Sequence, residues 1–429
     1  MQLTSGFDFA SVLKSGSVVS WPQGTGEPRG LTNRLVAERH RLPPIGLFVG
    51  ITTSDTLSPA CADRFEMKGL NGAGTNRRLT SKGVLDIIPV HVAFVPRLLR
   101  AGLIKADVAL IRVRPTGVPG QFTVGPVADY TSALIQAATY VVAEVDERLP
   151  LTGQDALVSR DRIDVLVTAD NDEVILADDD PSQLETTLAR NVASVIPDRA
   201  TVQFGFGGLS VAMARALFGH RDLGVHSGVL SDVFVDLVEK GVVTNAYKGL
   251  DEGVSVTGCL FGTGRLTEFA SNNNVLAMRS VEYTHDPLTM AKINSLFSVN
   301  FAIEVDITGQ VNAEVAGGRY LGAVGGQGPF VRGSQSSPGG RSIIALPSTT
   351  ADGATSRIVE SIANRPVTTP RGDADMVITE YGVADLRGAS FTERRKRLAA
   401  VAHPSFSEAL LRGDSQSQPK PHTAAQTRP

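Results

Sequence analysis

Hydrophobic and polar positions change period in the same way at two places in this chain. In SVVSWPQGTGEPRGLTNRLVAERH, residues 17–40, a short β-branched run meets a Gly/Pro-rich turn and then apolar residues near helical spacing, which predicts strand, turn and helix. ATVQFGFGGLSVAMARALFG, residues 200–219, repeats that order, with a strand over 201–204, a glycine turn over 205–208 and a helix over 210–217. The two openings lie about 180 residues apart and point to two tandem α/β units of similar plan rather than one long sheet. Between them LADDDPSQLETT, residues 176–187, is acidic and carries a proline, as a connection would. The units are therefore expected over 1–190 and 191–412, with GDSQSQPKPHTAAQTRP, residues 413–429, as a disordered tail without apolar period.

The second half is patterned further. VNFAIEVDITGQVNAEVAGG, residues 299–318, alternates like a strand, breaks at Thr308-Gly309 and resumes, and RYLGAVGGQGPFVRG then places five glycines in fifteen residues. With 43 glycines in 429 residues the chain exceeds the ordinary ~7%, which signals many close backbone approaches. A glycine turn between strand and helix exposes backbone N–H groups at a positive helix end, suited to a phosphate, a carboxylate or a developing oxyanion. The spacing does not fit a dinucleotide fingerprint, because Gly205-Phe206-Gly207 is followed by Gly208, Leu209 and Ser210.

Composition removes several function classes. A net charge of −3 and no basic stripe with interleaved aromatics leave no footprint for nucleic acid. No apolar run is long enough to span a bilayer, and MQLTSGFDFASVL does not read as a secretory leader, so a cytoplasmic protein is expected. Two distant cysteines, Cys61 and Cys259, indicate neither a disulfide framework nor a zinc site, and no metal is expected.

Six motifs occur in one order: EYTHDP, EVDITGQVNAE, GAVGGQ, IIALPSTTADGATSRIV, VTTPRGDADMVITEYGVADLRG and AHPSF. Together with DVALIRVRPTGVPGQFTVGPVADYTSALIQAA and GVVTN, they resemble the acetyl-CoA hydrolase and 4-hydroxybutyrate CoA-transferase family of class I CoA-transferases, over roughly residues 10 to 412. The resemblance implies two open α/β domains of the CoA-transferase-like (NagB/RpiA-like) fold with the active site between them. It implies acyl-CoA and a small carboxylic acid such as acetate as substrates, no permanently bound cofactor, and a homo-oligomer. In the family a glutamate attacks the thioester, and the resulting mixed anhydride gives a glutamyl-CoA thioester that the acceptor carboxylate resolves. Gly322, Ala323, Val324, Gly325, Gly326 and Gln327 would then approach the CoA arm, while Gly24, Gly26, Gly205, Gly207 and Gly208 resemble the family's glycine turns that support the oxyanion.

The family glutamate sits in a stretch like HTE, and the matching letters here are His226, Ser227 and Gly228. A second departure is Pro329 before Phe330, where the family commonly has Asp. Three readings stay open. A carboxylate such as Glu66, Glu282 or Glu314 replaces the glutamate; or Gly228 makes room for water, with His226 or Glu66 as base for thioester hydrolysis; or the chain binds acyl-CoA without turning it over.

Overall fold

The computed structural model describes residues 7–169 and 175–413, and it divides into two parallel-sheet units that repeat one strand order. The first unit contains β1 (Val18–Ser20), β2 (Ile45–Val49), β3 (Phe65–Gly69), β4 (Leu85–Ile87), β5 (Val108–Pro115), β6 (Tyr140–Val145) and β7 (Val165–Thr168). They lie parallel in the order β4-β3-β2-β1-β5-β6-β7, and strands Gln121–Thr123 and Leu157–Ser159 extend β5 in antiparallel fashion.

The second unit contains β8 (Thr201–Gln203), β9 (Gly224–Val225), β10 (Ser255–Thr257), β11 (Leu276–Met278), β12 (Leu296–Phe301), β13 (Arg341–Ala345), β14 (Met376–Thr379) and β15 (Gly382–Asp385). β9-β8-β12-β13-β14 run parallel, and β15 closes the edge antiparallel. The parallel pair β10-β11 joins this sheet through the bridge His226–Val256, just past β9. The first strand of each unit is thus central, with the next strand on one side and the later strands on the other. In such open sheets the crevice for ligands opens beyond the carboxyl ends of the strands where the order reverses.

The predicted turns fall where the periods change. Gly24–Gly26 forms a single 3₁₀ turn after β1, and helix Arg29–Glu38 follows, burying Leu31, Thr32 and Leu35 on one face. After β8, Gly207 takes φ +93° and helix Gly208–Ala216 begins. Gly207 is a position where glycine is required, because a β-carbon resists that backbone region. The break at Thr308-Gly309 is a tight turn in which Asp306 Oδ1 accepts from Thr308 N at 2.9 Å and Gln310 N at 3.1 Å. Pro329 lies in the first turn of helix Gln327–Ser336, where its missing N–H would have had no helical partner.

The boundary expected at residue 190 falls inside a helix. Helix Gln183–Ala193 opens with a reciprocal Ser182/Glu185 cap, packs on helix Gly208–Ala216, and binds the second sheet through Asn191 Nδ2 to Thr379 O at 2.9 Å. Its apolar face, Leu188, Ala189, Val192 and Ala193, is buried against that surface. The largest buried apolar cluster runs through both units, from Ile111 and Leu134 to Val202 and Ile343. The tail expected from 413 onward lies, beyond Gly413 itself, outside the described residues. Among the described residues no helix is long and apolar enough to cross a membrane.

One buried ion pair holds the first glycine turn. Arg112 on β5 pairs with Asp146 at 2.6 Å, both almost fully buried, and Arg112 Nη1 donates to Thr25 O at 3.0 Å. Burial pushes the Asp146 carboxyl up, but hydrogen bonds from Arg148 and Arg112 outweigh that and bring it down to about 2. A depressed carboxyl contributes stability above its unfolded value near 3.8 that is lost as pH falls toward 2. Asp146→Asn leaves Arg112 buried without its counter-charge and should lower stability at pH 7 by about 3 kcal/mol in urea titrations. The variant should also lose the part of the wild-type acid dependence that lies between pH 4 and 2.

Candidate functional site

A cavity of about 260 Å³ lies where the carboxyl ends of both sheets face each other. From the first unit it takes Gln23 after β1, Ile51 after β2, Leu70 and Asn71 after β3, and the loop residue Asp129. From the second it takes Gln203, Gly205 and Phe206 at the end of β8, Gly228, His285, Asn300 at the end of β12, and Ala323, Gly325, Gly326 and Gln327. Its remaining wall is largely apolar, including Phe204, Phe261, Val281 and Phe330. Such a space suits a small acyl group with a few oriented polar contacts. A larger depression of about 820 Å³ opens at the amino ends of the first sheet's strands, and it contains none of the glycine turns.

Backbone contacts strap the GAVGGQ loop across this cavity. Gly72 N donates to Gly322 O at 2.8 Å and Val92 N to Gly325 O at 3.0 Å, while Asn71 and Ala323 form a bridge. A β-carbon at Gly322 would stand 1.9 Å from Ala313 O, and one at Gly72 would stand 2.2 Å from Tyr320 O. Gly72 thus permits the two units to touch, while Gly322 lets the loop fold back on its own unit. Ala323, Gly325, Gly326 and Gln327 then line the cavity, whereas Gly322 and Val324 face away from it.

The two strand-to-helix turns contribute less than their sequence suggests. Gly205 lines the cavity, but Gly207 and Gly208 do not, and the Glu185 carboxylate already lies beside Gly208. Gly24 is covered by Phe261, whose ring atoms would come within 2.4 Å of a β-carbon there, and Gly26 packs on Pro22 and Val127. The lining residue from the first turn is its neighbour Gln23.

Three carboxylates considered from sequence stand elsewhere. Glu66 projects outward from the amino end of β3, exposed and paired with Lys68 at 2.8 Å, at the strand end away from the cavity. Glu282 is exposed and pairs with Arg100. Glu314 is buried but committed to Thr368 Oγ1 at 2.7 Å and Tyr320 Oη at 3.0 Å. Among the described residues lining the cavity, the single carboxylate is Asp129, which sequence reasoning passed over inside the PVADYT motif.

Asp129 Oδ2 accepts from Gln23 Nε2 at 2.7 Å and lies 3.8 Å from Cys259 Sγ, and Oδ1 accepts from Tyr130 N at 2.5 Å. Burial outweighs these bonds and pushes its pKa up to about 6. The backbone of Asp129 meets the Gly228 strand through Gly258, whose carbonyl accepts from Asp129 N at 3.3 Å and whose N–H donates to Gly228 O at 3.3 Å.

His226 does not reach the cavity. It is fully buried within the sheet, its Nε2 donates to Thr284 O at 3.0 Å, and burial followed by the charge of Lys248 takes its pKa down to about 3. The histidine at the cavity is His285, at the end of helix Val281–Thr284. A β-carbon at Gly228 would lie 2.7 Å from His285 Cε1 and 3.0 Å from Nε2, and one at Gly326 would lie 2.5 Å from Nε2. Gly228 therefore faces an imidazole rather than open space. Its φ lies outside the left-handed range, so the obstacle to a side chain is this ring and not the backbone.

Gly228→Ala should cost about 1–3 kcal/mol of stability through this overlap. In a His285→Ala background the same change should cost under about 0.5 kcal/mol. Urea titration of the four proteins of this cycle measures the coupling, and equal costs in both backgrounds would show that the ring does not fill the site.

Comparison with known proteins agrees with this architecture. Residues 2–177 match the acetyl-CoA hydrolase/transferase N-terminal domain and residues 262–413 the C-terminal domain of the same family. The chain is 34% identical over 406 residues to 4-hydroxybutyrate coenzyme A transferase of Clostridium kluyveri, covering 94% of each. It is 33% identical to succinyl-CoA:cyclohexane-1-carboxylate CoA transferase of Geobacter metallireducens, covering 94% of this chain and 93% of that one. The crystal structure of RipA from Yersinia pestis superposes with a TM-score of 0.88 at 32% identity, covering 94% of each chain. The chain thus belongs to the acetyl-CoA hydrolase/transferase family, with a glycine and a facing histidine at the heart of its interdomain cavity.

Proposed function

We propose that this protein moves coenzyme A from a short-chain acyl-CoA to a small carboxylic acid in the cavity between its two units. The observation that carries this reading is Asp129, the single carboxylate among the described residues lining a small apolar space walled by glycine backbone from the second unit. CoA transfer through the enzyme needs a carboxylate that water does not blunt, and burial makes Asp129 more basic than an ordinary aspartate. Its ionised oxygen attacks the thioester carbonyl, and the C–S bond breaks to release CoA thiolate. The thiolate then attacks the Asp129 carbonyl, freeing the donor acid and leaving an aspartyl-CoA thioester. The acceptor carboxylate resolves that thioester by the same two steps in reverse.

The polar neighbours fit these steps. Asn300 Nδ2 is a buried donor without a protein acceptor, suited to the oxyanion, while Gln23 orients Asp129 through Oδ2. The GAVGGQ backbone and Phe206 would flank the thioester arm. Binding of CoA and of a small carboxylate, and a homo-oligomeric assembly in the cytoplasm, belong to the same reading.

The test is exchange of labelled acetate into butyryl-CoA, followed by borohydride reduction and peptide mapping. Label exchange with reduction at Asp129 is expected, and Asp129→Asn should lower exchange at least a hundredfold. Exchange with no modification at Asp129 and an active Asp129→Asn variant would remove this mechanism. Because attack requires the ionised form, the exchange rate should rise about tenfold per pH unit below 6 and level off above 7. A double variant tests the space at residue 228. Gly228→Glu with His285→Ala should gain exchange activity over His285→Ala alone, whereas Gly228→Glu by itself should not.

A further inference from the structure

We infer that His285 Nε2 is a base aimed at the thioester, which gives the cavity a water-accepting route beside carboxylate transfer. The inference rests on the acyl-CoA reading above, and it assigns the base to a residue that sequence reasoning did not consider. The first observation is position: the ring lines the cavity and stands against Gly228 and Gly326, with Phe330 packed beside it.

The second observation is the hydrogen bonding of the ring. His285 Nδ1 lies 2.8 Å from Thr284 Oγ1, and that hydroxyl also lies 3.2 Å from Ser280 O. With the hydroxyl proton directed to Ser280 O, Thr284 Oγ1 accepts from His285 Nδ1–H. The lone pair is then on Nε2, facing the cavity. Burial pushes the ring's pKa down to about 3, so Nε2 is unprotonated at neutral pH and a weaker base than an exposed imidazole. His226 supports this arrangement from behind: its Nε2–H donates to Thr284 O, pinning the residue that orients His285. The Asp129 carbonyl accepts from Val281 N at 2.9 Å and fixes the other end of the same short helix.

The third observation is the donor opposite in kind. Asn300 Nδ2, buried and without a protein acceptor, lines the same cavity and can hold a thioester oxygen as it becomes negative. In the step, Nε2 takes a proton from water and the water oxygen bonds to the thioester carbon, whose C=O pair moves onto the oxygen near Asn300. Collapse breaks the C–S bond, and the departing thiolate recovers the proton from Nε2–H. The products are the carboxylic acid and CoA thiol, with no other reactant needed.

The experiment measures thiol release from butyryl-CoA without any carboxylic acid, alongside acetate exchange in the same preparations. His285→Gln should lower kcat for thiol release at least a hundredfold with KM within about threefold, while exchange falls less than tenfold. His285→Ala should regain thiol release when imidazole is added, a response that loss of packing alone would not give. Thr284→Val, which frees the tautomer, should reduce kcat about tenfold at unchanged KM. Full thiol release by folded His285→Gln with normal butyryl-CoA affinity would overturn the inference. Wild-type exchange without any thiol release would also overturn it while leaving the transfer reading standing, and absence of butyryl-CoA binding would remove the transfer reading itself.

Discussion

The two units share one cavity because their backbones touch without side chains between them. A parallel sheet presents its ligand crevice at the carboxyl ends of its strands, and two such ends can meet only if the connecting loops are thin. Gly72 against Tyr320 O provides that thinness between the units, and direct N–H to carbonyl bonds between Gly72 and Gly322 and between Val92 and Gly325 take the place of side-chain packing. The consequence is chemical as well as geometric. Ala323, Gly325 and Gly326 bring peptide groups, not side chains, to the cavity wall, so a thioester could lie close to backbone.

The cavity floor depends on a short relay of buried groups. Lys248 Nζ donates to Val225 O at 3.0 Å and Val254 O at 2.6 Å, tying β9 to the entry of β10 beside His226. His226 carries that order to Thr284, Thr284 to His285, and Asp129 anchors the same helix through its backbone. A charged lysine there would be costly, and burial takes Lys248 down to about 8, against the pull of Asp251. The relay explains why HSG and THD, far apart in sequence, belong to one local structure.

What was legible in the sequence was what depends on periodicity and glycine. The β8-turn-helix opening and the turn at Thr308-Gly309 follow from local pattern, since strand and helix periods differ and a left-handed turn admits glycine. An acidic, proline-bearing connection and an acidic helix start look alike in composition; Ser182 and Glu185, three residues apart, form a helix cap, and that spacing is the local signal of a helix start there. Asp129 and His285 were illegible for another reason. Their importance comes from which cavity they face, and that is set by contacts between residues separated by more than a hundred positions, such as Asp129 O with Val281 N. In the sequence alone, an exposed-looking Glu66 in an alternating strand competes on equal terms.

The pairing of Gly228 with His285 also changes the electrostatics of the site. A buried carboxylate must be offset by donors or cations, and the cavity lining contains no lysine or arginine among the described residues. Asp129 meets that difficulty with hydrogen bonds from Gln23 and Tyr130 and still remains pushed up to about 6. A second carboxylate at residue 228 would add like charge to the same cation-free space and raise both pKa values further. A neutral imidazole supplies a lone pair at that place without adding charge. The glycine is thus the other half of the histidine: removal of the side chain at 228 gives the ring its room, and the ring gives the cavity a basic atom that its weakly charged lining can accommodate.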